Sequence, residues 1–102
     1  MAQEPTVYFA VFHSPGEAWI EDVDFREQPG VMEHVTHYAR YLEEGKLLMG
    51  GPFLMPNSGG MMIAKSEVTE EELRAYAAAD PAVQSKLLSF EIRPWYVPMR
   101  SA

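Results

Sequence analysis

The side chains that could do chemistry in this 102-residue sequence are three histidines and the carboxylates, because it contains no cysteine. Its serines lie outside any nucleophile-elbow sequence. Its glycine pairs lack the spacing and the strand-to-helix context of phosphate-binding loops. The residue types therefore argue against thiolate, serine-nucleophile and zinc–thiolate chemistry and leave general acid–base catalysis as the chemistry to consider.

His34 is the strongest candidate for proton transfer. Its spacing puts it beside the apolar stripe of a predicted helix, next to Val31 and Tyr38, where the imidazole would be half-buried at the border of helix and sheet. Such an imidazole can pass a proton near neutral pH. The alternative is a surface histidine bonded to a backbone carbonyl, and the pattern by itself favours that alternative.

Asp80 is the natural partner for such an imidazole, although it also has a simpler explanation. Asp followed by Pro is the N-cap and first-residue pair of a short helix, predicted here from Pro81 to Lys86. Capping alone accounts for the residue. The two roles are compatible, since a carboxylate fixed by backbone N–H groups would orient a histidine rigidly.

The sequence predicts no metal site and no cofactor. His34 and His37 lie three residues apart and could share an ion with Glu33 or another carboxylate. The spacing is not a metalloprotease pattern, however, and the sequence does not supply a complete set of ligands. His13 is interpreted as the polar end of a strand.

Charge and hydropathy exclude several partners. Eight Lys and Arg against fifteen Asp and Glu give a net charge of −7 without a basic stripe, which disfavours nucleic acids and anionic membrane surfaces. The longest apolar run, Val7 to Phe12, is far too short to span a membrane, and Met1–Pro5 has no basic start of an export signal. We expect one cytoplasmic domain over residues 1–102.

The predicted elements follow the order β-α-β-β-α-β. The residue pattern places them as follows: a strand Thr6–His13, a helix Pro29–Glu44, strands Leu47–Leu54 and Gly60–Lys65, a helix from Thr69 to Ala79, and a strand Leu87–Val97. The connection 14–28 is either a lid or an ordinary surface loop, with at most a turn of helix.

This order predicts an α+β, ferredoxin-like fold with a four-stranded antiparallel sheet and both helices on one face. The other face would be bare although its residues are apolar, among them alternate members of the first strand and of the Met61–Met62 segment. Two copies packing sheet to sheet would cover it, so we expect a homodimer.

Four blocks in this order resemble the YCII-related family. They are His34 followed by Tyr38, Leu42 and Gly45-Lys-Leu-Leu-Met-Gly-Gly-Pro-Phe53; Gly59-Gly-Met-Met-Ile63; Ala79-Asp-Pro-Ala-Val83; and Phe90-Glu-Ile-Arg-Pro-Trp95. The resemblance covers residues 34 to 96. It implies a dimeric α/β barrel and a His–Asp pair in a cleft, at His34 and Asp80 here. Many members carry an arginine where this chain has Val31, and Arg26 and Arg93 are the candidates to substitute for it.

The resemblance also implies a class of reaction. One branch of the family is similar to a dehydrochlorinase of a chlorinated hydroxyhydroquinone, and the superfamily includes muconolactone isomerase and small monooxygenases, which points to aromatic catabolism. We therefore expect a cofactor-free lyase or isomerase in which His34 moves a proton on a small aromatic, lactone or enol substrate and Asp80 orients it. The predicted substrate-binding residues are Tyr8, Trp19, Phe53, Arg93 and Trp95.

Two alternatives remain at this stage. One is a non-catalytic domain that holds a small ligand in the same cleft or only dimerises, and the other is a small oxygenase without a cofactor. Accessibility of His34 separates the first from an enzyme, because a structural histidine would be enclosed.

Overall fold

The computed structural model describes residues 6–101. Residues 1–5, on which the expectation of no export signal rests, lie outside that range. The elements are β1 (Thr6–Pro15), a short 3-10 helix (Phe25–Glu27), α1 (Val31–Glu43), β2 (Leu47–Pro52), β3 (Gly60–Ala64), α2 (Glu70–Ala78), α3 (Pro81–Gln84) and β4 (Leu88–Val97). None of the helices within 6–101 has the length and apolar content needed to cross a membrane.

The four strands form one antiparallel sheet in the order β2-β3-β1-β4. The central strand β1 pairs with β4 over its whole length, from Thr6 opposite Val97 to Pro15 opposite Leu88, and with β3 from Ala10 opposite Ile63 to His13 opposite Gly60. This is the ferredoxin-like α+β arrangement that the element order predicts.

Alternation along β1 divides the core into two faces, because successive side chains of a strand point to opposite sides. Val11 packs with residues of α1 and α2 in one buried cluster, to which Met62 of β3 also belongs. Tyr8 and Ala10 lie in a second cluster with Ile63 on the opposite face. The helices therefore cover one face only, and Met61 and Met62 point to different faces.

Helix α1 begins later than the predicted start at Pro29. Gly30 has a φ of 91°, a left-handed conformation that favours glycine. This conformation interrupts the helical path, so the first helical residue is Val31 and Pro29 precedes the helix.

Helices α2 and α3 each begin after a side chain that accepts a backbone N–H, Thr69 for α2 and, as predicted, Asp80 for α3. Thr69 Oγ1 accepts a hydrogen bond from the Glu72 N–H, and Val68 and Leu73 are buried on either side of the cap. The Glu72 carboxylate pairs with Lys46 instead of completing a capping box.

Candidate active site

A histidine and an aspartate from different elements meet at the border of the helices and the sheet. His34 lies in the first turn of α1, and its Nδ1 is 2.6 Å from Oδ2 of Asp80, the N-cap residue of α3. The second oxygen of Asp80, Oδ1, accepts a hydrogen bond of 2.9 Å from the Ala82 N–H. Asp80 is completely buried, whereas 12% of the His34 side chain is exposed. The predicted pair is therefore formed, and its histidine is the accessible member.

Electrostatics favour an ionised carboxylate at this site. Burial by itself raises the pKa of Asp80, but the hydrogen bond from His34, the charge that His34 can carry, the Ala82 N–H and His13 lower it, and the net pKa is below the usual value. An ionised carboxylate only accepts hydrogen bonds. The His34 Nδ1 is therefore the protonated nitrogen, and in the neutral ring Nε2 carries the free lone pair.

His13 is a third member of the site, which the interpretation as a polar strand end missed. It lies on the helix-covered face of β1, is 3% exposed, and places its Nε2 3.9 Å from Asp80 Oδ2. Its ring stands edge-on to His34 and to Tyr38, with centroid distances of 4.9 and 5.6 Å. The available signal was parity, because His13 is two residues beyond the core residue Val11.

The His13 imidazole is neutral at pH 7. Burial is the main cause and the neighbouring His34 adds to it, so that the pKa falls to about 4 although Asp80 acts in the opposite direction. Neither ring nitrogen of His13 has a hydrogen-bond partner among residues 6–101. The site thus combines one histidine held by a carboxylate with one buried histidine whose polar atoms are unsatisfied.

A cavity of about 330 Å³ opens between α1 and the sheet beside these residues. Its walls are mostly apolar, and the residues that line it include Trp19, Phe25, Val31, Val35, Tyr38, Leu42, Gly50, Gly60 and Met62, together with His13 and His34. No Lys, Arg, Asp or Glu from the described part of the chain lines it. His34 therefore stands between the buried carboxylate and an apolar space.

A glycine allows the turn before β3 to approach the site closely. Gly59 has a φ of 75°, and a Cβ added to it would lie 1.9 Å from the carbonyl oxygen of His13. A larger residue would push the β2–β3 turn away from β1 at the end of the cavity.

The segment 16–28 covers one side of the cavity through Trp19 and Phe25. It is tied to the β2–β3 turn by the Asn57 side chain, whose Oδ1 accepts hydrogen bonds from Trp19 Nε1 and from the Asp22 N–H. Asn57 Nδ2 in turn donates to Asp22 Oδ1. The connection therefore lies over one side of the cavity, bonded to the β2–β3 turn by the Asn57 side chain and, at its start, to Lys86 and Leu87 by backbone hydrogen bonds.

The five predicted substrate-binding residues are distributed over both faces of the sheet. Trp19 lines the cavity, and Phe53 lines a neighbouring depression that also contacts Trp19. Tyr8 and Trp95 lie together on the uncovered face, with ring centroids 6.3 Å apart. Arg93 lies on that face as well, over the ring of Phe12. The structure brings only Trp19 to His34 within this set.

The two residues named as replacements for an arginine at position 31 do not reach the cavity. Arg26 pairs with Asp24, and Arg93 pairs with Glu91. Val31 itself lines the cavity, so an apolar side chain occupies the place where the resemblance would put a cation.

His37 is engaged elsewhere and does not converge with His34. Its Nε2 donates to the carbonyl oxygen of Tyr76 at 2.7 Å, and the Tyr76 hydroxyl donates to the carbonyl oxygen of His37. The rings of His37 and Tyr76 are stacked. This reciprocal pair of hydrogen bonds joins α1 to α2. His37 is therefore a structural residue, and the candidate site contains only the other two histidines.

Comparison with known proteins supports the architecture. No family model matches the chain, and no curated protein matches it. The structure is similar to 5-chloro-2-hydroxyhydroquinone dehydrochlorinase from Burkholderia phenoliruptrix AC1100, solved in complex with 2,5-dihydroxybenzoquinone. The TM-score is 0.53 at 17% identity, over 86% of this chain and 92% of that one. The shared feature is the α+β fold. At this identity the likeness says nothing of the reaction.

Proposed function

We propose that this protein is a small lyase or isomerase of the YCII-related type that works by proton transfer and needs no cofactor. The observation that carries the proposal is the hydrogen bond between His34 Nδ1 and the buried Asp80 carboxylate at the wall of an apolar cavity. The α+β fold shared with a dehydrochlorinase permits this chemistry without specifying it.

His34 acts as the general base in this proposal. Its Nε2 takes a proton from a C–H or O–H group of the substrate, and Asp80 stabilises the imidazolium that forms. In a lyase, the electron pair released then expels a leaving group such as chloride. In an isomerase, Nε2 returns the proton to another carbon. A positioned base of this kind contributes a rate factor of about 10² to 10⁴.

The cavity indicates the class of substrate. Its described walls carry no basic side chain, and Asp80 already places a negative charge behind His34. Burying a carboxylate or phosphate there would cost its hydration without a compensating partner. We infer that the substrate is a small, planar molecule, uncharged at neutral pH, such as a quinol or an enol.

Trp19 is the substrate-binding residue that we retain from the predicted set, since it faces the same space as His34. Phe53 supports it from the neighbouring depression. Tyr8, Arg93 and Trp95 would contribute only if a second protomer brought the uncovered face to a binding site.

The test is a turnover screen with chlorinated hydroxyquinols, enols and lactones, followed by chloride release and ultraviolet absorbance. His34→Gln and Asp80→Asn should each lower kcat by about 10² to 10⁴. Asn at position 80 still accepts the Ala82 N–H, so the cap is kept. His37→Gln is the matched control, because this histidine lies on the same helix and bonds to Tyr76.

A paired comparison tests the substrate class. A quinol that turns over should lose at least about 100-fold in kcat/KM when a carboxylate is added to its ring. Full turnover by His34→Gln would refute the base. Tight binding of quinols without any turnover would favour the non-catalytic ligand-binding domain instead.

A further inference from the structure

Three potential metal ligands converge behind the cavity from three separate elements. His13 comes from β1, His34 from α1 and Asp80 from the start of α3. One ligand atom from each lies within 4.8 Å of the others. This group differs from the His34–His37 pair considered from the sequence, because its members are far apart along the chain.

An independent observation points to a ligand at this group. Both nitrogens of the buried His13 ring lack a hydrogen-bond partner among the described residues, although Nε2 is directed toward Asp80 and the residue lines the cavity. A buried polar atom without a partner costs about 1 to 3 kcal/mol. Coordination of an ion would satisfy this nitrogen.

We propose that His13, His34 and Asp80 bind a divalent transition-metal ion of the zinc type. Two imidazole nitrogens and one carboxylate oxygen are the donors that Zn²⁺ accepts, whereas Ca²⁺ and Mg²⁺ prefer oxygen alone. Three protein ligands would leave one position open, and two of the three, His13 and His34, line the cavity. The cavity would supply water or a ligand oxygen to that position.

The distances require small adjustments. Ligand atoms around a tetrahedral zinc ion lie about 3.3 Å apart, as its bond lengths dictate. The separation of His34 Nδ1 from Asp80 Oδ2 is 2.6 Å and that of His13 Nε2 from Asp80 Oδ2 is 3.9 Å. The first must lengthen and the second must shorten, each by about 0.6 to 0.7 Å. The two histidine ligand atoms lie within 4.8 Å of each other and must also approach this separation, which rotation of the two side chains would provide.

The inference does not rest on the proposed function. His34 Nδ1 holds either the proton that it donates to Asp80 or the metal ion, so the two states exclude each other. If the proton-transfer function is correct, zinc at this site inhibits it. Binding itself is measured without any substrate.

The experiment is calorimetric titration of the metal-free protein with Zn²⁺, together with the visible spectrum of the Co²⁺ form. The wild type and His37→Gln should each bind one ion with the same affinity. His13→Gln and Asp80→Asn should weaken binding by at least about 100-fold, because loss of a ligand exceeds the effect of losing an outer partner. Circular dichroism checks that each variant is folded.

A second measurement needs no variant. Zinc should shift the imidazole nitrogen resonances of His13 and His34 in the wild type and leave those of His37 unchanged. Absence of binding by the wild type, unchanged affinity in both ligand variants, or resonance shifts confined to other residues would each overturn the proposal.

Discussion

Asp80 shows how one buried carboxylate serves two neighbours. Its Oδ1 accepts a hydrogen bond from the Ala82 N–H at the start of α3, while its Oδ2 accepts one from the His34 Nδ1–H. Charge-assisted bonds of this kind are shorter and stronger than neutral ones. The geometry of the imidazole is therefore set by a helix cap, and a substitution at residue 80 must be judged on both roles.

His13 predicts a particular dependence of stability on pH. Its folded-state pKa is about 4, mainly because of burial, whereas a histidine in the unfolded chain has a pKa of about 6.5. The unfolded state thus binds more protons between these values. The stability that the neutral His13 contributes is fully present above about pH 6.5. It is lost as the pH falls from about 6.5 to about 4, which lowers the free energy of unfolding by about 3 kcal/mol.

Urea denaturation between about pH 7.5 and pH 4 with a chelator present measures this slope. His13→Gln should flatten it. Asp80 acts below this window, since its folded pKa lies under the usual value of an aspartate. A slope that persists unchanged in His13→Gln would assign the effect to another group.

Spacing by itself favoured a surface histidine at position 34 and a simple cap at position 80. The family resemblance made the His34–Asp80 pair the prediction, and the two side chains are hydrogen-bonded in the structure. His13 was missed because β1 is apolar at consecutive positions, so its pattern did not reveal which face the helices cover. The same ambiguity put Tyr8 in the predicted wall, although Tyr8 and His13 are separated by an odd number of residues and lie on opposite faces.

At the scale of elements, the segment 16–28 and the β2–β3 turn act as one unit through Asn57. This side chain makes three hydrogen bonds to the segment. They are exposed, so together they are worth about 1 to 3 kcal/mol. The sequence left open whether this segment is a lid or an ordinary surface loop. We propose that it is a lid, because Trp19 and Phe25 line the cavity.

Asn57→Gly should loosen the lid and spare the chemistry. Asn57 has a φ of 56°, a conformation that glycine accepts without strain. The change therefore removes the side-chain bonds without straining the folded backbone, and glycine also gives the opened chain more conformational freedom. Hydrogen exchange in residues 16–28 should accelerate about tenfold or more, and KM should rise while kcat changes little. Ser58→Ala is the control, because Ser58 Oγ bonds within its own turn to Met55. Equal rates of hydrogen exchange in Asn57→Gly and Ser58→Ala would show that the Asn57 side chain does not hold the segment in place.

Helix α1 shows what amphipathic periodicity cannot distinguish. Val35 and Leu42 follow Val31 at the spacing of the apolar face of a helix, yet they are 48% and 56% exposed and line the cavity. Tyr38 and Tyr41 are buried in the core. An apolar stripe indicates only which face of a helix is apolar. Residues of such a face can pack in the core or line a binding cavity, and the pattern does not distinguish the two.

At the scale of the whole molecule, one face of the sheet carries no helix, and in a single copy its apolar side chains are exposed to water. It is apolar over most of its width and its members include Tyr8, Ala10, Phe12, Met49, Met61, Ile63 and Trp95. Met49 and Trp95 are 60% and 46% exposed. We propose that a second copy covers this face.

Sedimentation should therefore show a dimer at micromolar concentration. Trp95→Asp puts a charge on the proposed interface and should shift the protein toward monomer by at least about tenfold in Kd. Leu54→Asp adds the same charge at a residue that is 92% exposed in the β2–β3 turn, and it should leave the dimer intact. A wild type that stays monomeric would refute the homodimer and leave the monomeric fold unaffected.

The bond from the Ala82 N–H to Asp80 Oδ1 also provides a built-in spectroscopic reporter. The amide proton of Ala82 senses the charge on the carboxylate whose other oxygen holds His34. A ligand that reaches the imidazole from the cavity should change the chemical shift of this one backbone amide. Binding of candidate ligands at the site can then be followed by nuclear magnetic resonance in the unmodified protein, before any substrate has been identified.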